Sequence, residues 1–154
     1  MIEDHPPRLF ADDPEVRRIG EGLLGCTLVR ADWTHEAHLA ACLYLLAERP
    51  DIDAERELPD LIRRFNGSVG GVNDDTQGYH ETITQTYLAG VRAFLARTDP
   101  ALPLGDKVNA LLVAPEGRRD WPLRFYTPGR LFSREARLNR VEPDVKPQEP
   151  GDGS

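Results

Sequence analysis

Three of the four histidines fall in two short motifs, WTHEAHL over residues 33–39 and GYHET over residues 78–82. Three imidazoles, with or without a carboxylate, suit zinc, iron or copper. On a helix, His35 and His38 stand three residues apart and can reach one ion. The string H-E-A-H differs from the H-E-x-x-H of zinc proteases, whose histidines are four apart. It also differs from the E-x-x-H of ferritin-like di-iron proteins. Glu36 and Glu81 each follow a histidine by one residue, so each could act as base, ligand or the partner that fixes a tautomer. Tyr79 flanks the second motif. The pattern therefore predicts one divalent transition metal (Zn, Fe or Cu) held by His35, His38 and His80. Glu81, Glu36 and Tyr79 are the catalytic candidates, and an open coordination position would take water or a small, possibly anionic, substrate. Arg130, Ser133 and Asn73 are the candidates for binding that substrate.

The elements that must position these residues are helical. Apolar residues recur with helical period over 34–48, about 54–66, about 79–96, about 104–114 and 127–139. Thr34 suits an N-cap and Pro50 a stop. Pro59 places the regular start of the second segment near Leu58. Segment 22–30 reads as a short strand or an extended approach to the first helix. At about 100° per residue, His35 and His38 share a face with Leu39, Cys42 and Leu46. His80 falls in the middle of the stripe formed by Ile83, Thr84, Tyr87, Val91, Phe94 and Leu95. Tyr44, Tyr87, Phe94 and Leu95 read as core.

The predicted fold is all-α, a small antiparallel bundle of four to five helices with irregular, flexible termini. Short connections would then bring both histidine motifs to one end of the bundle, beside the loop over 67–78. The chain returning after Ala114 would bring Tyr126, Arg130, Ser133 and Arg137 to the same end. Helix N-termini attract anions and disfavour imidazolium, so the histidines should be neutral near pH 7. Residues 1–12 are expected to be flexible, 13–140 to form a single domain, and 141–154 to be a disordered tail.

Composition narrows the partners. The chain has 154 residues and a net charge of −7, which argues against a phosphate-backbone binder. No apolar run approaches the roughly 20 residues of a membrane span. Two cysteines without a secretory signal predict a cytoplasmic protein. The expected partner is a small molecule, with neither nucleic acid nor membrane. Asn73, Asp74 and Asp75 lack the spacing of a calcium loop, and capping by Asp75 or Thr76 is expected there instead. The stretch GSVGG lacks the pattern of a phosphate loop. Cys42 reads as a buried free thiol.

The order WTHEAHL, RRFN, GYHETIT, RFYTPGRLFSREAR and VEPD over about residues 22–145 resembles a small bacterial family of helical proteins with no established activity. That resemblance implies that the two histidine motifs form one unit, without implying what the unit does. Two further readings accompany the metal enzyme. One is a metal-free binding module for a small carboxylate or phosphate. The other is a structural protein whose histidines form a buried polar network.

Overall fold

A computed structural model of the chain describes residues 6–145. Among the described residues there are seven helices and no strand, so the class is all-α. Five helices are long: α1 (Asp13–Gly25), α2 (His35–Glu48), α3 (Ala54–Ser68), α4 (Glu81–Ala96) and α5 (Leu104–Leu112). Two short ones follow, α6 (Pro128–Leu131) and α7 (Arg134–Leu138), with a break at Phe132 and Ser133 where one helix over 127–139 was expected.

Helix α1 takes in residues 22–25 of the segment expected to be a strand or extended over 22–30, and residues 26–29 are turn and irregular chain. Asp12 caps it by accepting from the Glu15 N–H (3.0 Å), and Pro14 sits in its first turn. Val16, Ile19 and Leu23 carry its buried stripe at helical spacing. Three glycines, at 20, 22 and 25, obscure that period in the sequence. Gly20 is required by packing: a Cβ there would collide with the Tyr44 ring of α2.

Helix α2 is buried nearly all round, with α1, α3, α4 and α5 against it. Leu39, Ala40, Ala41, Leu43 and Leu45 therefore all belong to the core, beyond the single face expected. Helix α3 begins at Ala54, a turn earlier than Leu58, with Pro59 inside it. A proline has no N–H to give the carbonyl four residues back. That carbonyl belongs to Glu55, and the Gln85 side-chain amide of α4 donates to it instead (3.5 Å). The start of α2 meets the end of α3 where Trp33 packs on Phe65 (ring centroids 5.3 Å). The end of α3 meets the start of α4 where the Arg63 guanidinium lies over the Tyr79 ring (4.4 Å).

Residues 8–12 and 141–145 are tied to the rest of the fold more firmly than their composition predicts. Phe10 exchanges two hydrogen bonds with Asn109 of α5 (2.8 and 2.9 Å), and Asp13 accepts from the Gly105 N–H (2.7 Å). Of the segment 1–12 expected to be flexible, residues 8–12 thus make specific contacts, while 1–5 lie outside the described residues. At the other end, Tyr126, Leu131, Ala136 and Val141 form a second small core. Val141 is only 7% exposed, its carbonyl accepts from the Tyr126 hydroxyl (2.7 Å), and its N–H donates to Thr82 (3.2 Å). Asp144 binds the Thr127 N–H and hydroxyl (2.8 and 2.6 Å). The packed chain therefore runs through 145 rather than stopping at 140, and 146–154 lie outside the described residues. No helix among the described residues is long and apolar enough to cross a membrane.

Candidate functional site

The first motif opens α2. The Thr34 hydroxyl accepts from the Ala37 N–H (3.1 Å) and starts the helix. Three residues' spacing then turns His35 and His38 to the same side. Together with Leu39 and Cys42 they line a cavity of about 360 Å³ between α2, α3 and α4. Helix α3 supplies Leu58 and Ile62, and α4 supplies Ile83, Thr84 and Tyr87. Trp33 closes the wall, its ring 3.9 Å from that of His38. The Trp33 indole N–H is buried with no hydrogen-bond partner among the described residues.

Backbone carbonyls fix the tautomers. His38 Nδ1 lies 2.7 Å from the Thr34 carbonyl. A carbonyl only accepts, so Nδ1 carries the proton and the lone pair of the neutral ring is on Nε2. The ring is open to solvent through the cavity mouth but set among apolar walls. Loss of hydration holds its pKa below the ordinary value, with the Thr34 carbonyl opposing and His35 assisting. His35 Nε2 donates to the Gly117 carbonyl (2.8 Å), and its ring meets the edge of Tyr87 (5.7 Å between centroids). The Tyr87 hydroxyl donates to the next carbonyl, that of Arg118 (2.6 Å). Burial raises the pKa of Tyr87, which stays a phenol. The Cys42 thiol, also in the cavity wall, is pushed up to about 12 by burial and is no nucleophile at neutral pH.

The second motif does not join this cavity through its histidine. His80 is the N-cap of α4, with extended backbone (φ −128°, ψ 110°), not a residue of the helix. A helical wheel beginning at 79 therefore assigns it a direction it does not take. Its Nδ1 accepts from the Ile83 N–H (3.1 Å) and its Nε2 donates to the Leu131 carbonyl (2.7 Å). Both nitrogens are thus engaged in a ring only 8% exposed. Burial, then Arg137, lower its pKa against the pull of the Leu131 carbonyl. Meanwhile His35 lies beside Tyr87, seven residues further along α4, or ~10 Å at the helical rise. Among the described residues no three His, Cys, Asp or Glu are grouped to hold a metal ion.

The remaining candidates are placed as follows. The Tyr79 hydroxyl donates to Glu81 Oε1 (2.5 Å), and burial with this carboxylate raises the tyrosine's pKa. Glu81 also accepts from Gln85 (3.4 Å). Glu36, only 5% exposed, lies on a second, more polar depression of about 410 Å³ with Arg118 and Arg119, and His35 lines both this depression and the first cavity. Burial pulls its pKa up, but its own N–H, that of Arg8 and the charge of Arg119 (3.6 Å) together hold it below the ordinary value. The carboxylates that open α2 and α4 are thus the chain's own, where an anionic substrate was expected.

Asn73, Ser133 and Arg130 serve the fold rather than meeting at the cavity. Asn73 Oδ1 accepts from Asn66 and the Tyr79 N–H (3.0 Å each), while its amide donates to the Arg63 carbonyl (3.1 Å). Ser133 caps α7 through the Ala136 N–H (3.1 Å), and Arg130 donates to the Glu142 carbonyl (2.7 Å). Arg137 donates to the Gly78 carbonyl (2.8 Å). Asp74, rather than Asp75 or Thr76, makes the local cap by accepting from the Thr76 and Gln77 N–H groups (2.9 and 3.1 Å).

Thr84 and Tyr87 also line the cavity, although helical spacing assigns them to the core stripe. A threonine within that stripe is the one signal that could have marked it. No family model, curated protein or solved structure matches the chain.

Proposed function

We propose that the chain is a small-molecule-binding protein that takes a largely apolar ligand into the cavity between α2, α3 and α4. The observation that carries this reading is the cavity itself. Its size lies within the range of ligand pockets, its walls are mostly apolar, and His38 supplies a polar group with a nitrogen still to be paired. Binding is favoured over covalent catalysis because Cys42 is held as a thiol and Tyr87 is pinned to the Arg118 carbonyl. A metal-free site is favoured because both nitrogens of His80 already have partners.

Naphthalene is a suitable first probe, since it tests the cavity without any polar contact. In a Trp121→Phe background the remaining tryptophan, Trp33, lines the cavity and reports binding by fluorescence. Saturable one-to-one quenching is expected, and Ile62→Phe, which fills the cavity from α3, should abolish it. Elemental analysis of untagged protein should find no stoichiometric zinc, iron or copper. Absence of naphthalene binding would overturn the cavity reading, and stoichiometric metal lost on His38→Gln would restore the metal centre.

A further inference from the structure

The polar group of the cavity restricts what can bind, and this restriction rests on the cavity reading above. We propose that the preferred ligand is an uncharged hydrogen-bond donor, a phenolic or alcoholic hydroxyl, carried on an aromatic or alicyclic body. The geometry of His38 is the main reason. Its Nδ1–H is spent on the Thr34 carbonyl at 2.7 Å, so the ring nitrogen left for a ligand, Nε2, is an acceptor in the neutral ring, and the residue lines the cavity. The ring makes no other hydrogen bond among the described residues. An acceptor without a partner is satisfied only by a donor. A ligand carboxylate would bring a second acceptor instead.

The surroundings of His38 reinforce this choice. Among the described residues neither lysine nor arginine lines the cavity, so an anion entering it would lose hydration without gaining a counter-charge from them. The two helix N-termini at the cavity, those of α2 and α4, already carry the Glu36 and Glu81 carboxylates in their first turns. Arg118 and Arg119 line the second depression, on the other side of His35, where Arg119 pairs with Glu36. Trp33, Leu39, Leu58 and Ile62 leave flat and branched apolar surface for a ring-shaped body.

Calorimetry with naphthalene, 1-naphthol and 1-naphthoate at pH 7.5 separates the possibilities. The naphthol should bind ~10-fold more tightly than naphthalene, the equivalent of one neutral hydrogen bond. The naphthoate should bind more weakly than either. His38→Phe keeps a ring against Trp33 and removes the acceptor, so it should reduce naphthol to the affinity of naphthalene. His38→Gln, which retains a side-chain acceptor, should recover part of the difference. Urea midpoints of both variants establish that they fold. If naphthalene binds but naphthol gains nothing over it, or if naphthoate binds as tightly as naphthol, the hydroxyl preference is overturned while the cavity stands. Naphthol selectivity that survives His38→Phe overturns it as well. If none of the three binds the wild type, both the cavity reading and the preference fall.

Discussion

Replacing His80 separates a structural latch from a ligand-binding group, because the two nitrogens of this ring carry distinguishable loads. One caps α4 through the Ile83 N–H, and the other ties α4 to the Leu131 carbonyl. Losing an N-cap side chain to alanine costs about 0.5–2 kcal/mol. Leaving a buried carbonyl without its donor costs about 1–3 kcal/mol. His80→Ala should therefore destabilise the protein by about 2–4 kcal/mol. Asparagine is a good N-cap but too short to span to Leu131, so His80→Asn should lose only the second contribution. Urea unfolding at pH 7.5, followed by far-ultraviolet circular dichroism, measures both. A loss under about 0.5 kcal/mol for His80→Ala would refute the latch, as would an asparagine variant no more stable than the alanine one.

The same ring has a pH signature. Burial and Arg137 depress its pKa in the folded protein below the ordinary 6.5. The unfolded chain therefore takes up a proton that the folded chain resists. His80's contribution to stability is fully present above pH ~6.5 and is lost as pH falls toward the folded value, by up to about 1.4 kcal/mol per pH unit. Burial also depresses His38, which adds to the slope in the same direction. Stability should therefore fall on acidification from pH 6.5, and less steeply in His80→Asn than in the wild type. Equal slopes in the two proteins would refute this account of the ring.

Three further outcomes follow from the packing. Gly20→Ala should cost about 1–3 kcal/mol in urea unfolding, because its methyl meets the Tyr44 ring and α1 must move off α2. A chain ending at residue 140 should lose about 2–4 kcal/mol and melt several degrees lower, since it gives up the buried Val141 and the partners of Tyr126, Thr82 and Thr127. Iodoacetamide at pH 8 should modify Cys26, which is half-buried, and spare Cys42 until the protein is unfolded. Mass spectrometry of the digested protein locates the label.

Much of the helical content was legible from local pattern. Thr34 caps α2 as expected, and the segments over 34–48, 54–66, 79–96 and 104–114 correspond to α2, α3, α4 and α5. Capping and apolar period are properties of neighbouring residues, so the sequence carries them. The shared face of His35, His38, Leu39 and Cys42 was legible for the same reason, since a helix wheel holds inside a helix. It failed at His80 because a cap is not a helical residue, and one residue's shift in where the helix starts redirects the ring. Helix α1 was missed because glycines needed for close approach to α2 look like breaks until that partner is in place.

The tertiary structure alone decided which partners those residues have. Nothing local says that the Gly117 and Leu131 carbonyls will face His35 and His80, because both come from segments far along the chain. Nothing local says that Gln85 will serve the carbonyl that Pro59 leaves open, or that Thr82 will hold Val141. The sequence by itself determined the all-α class and the residue types that could do chemistry. The stagger of α2 against α4 decided that His35 meets Tyr87 and not His80, and so that two motifs of like composition serve two purposes. A stagger is set by how whole helix faces interlock, and no short motif encodes it.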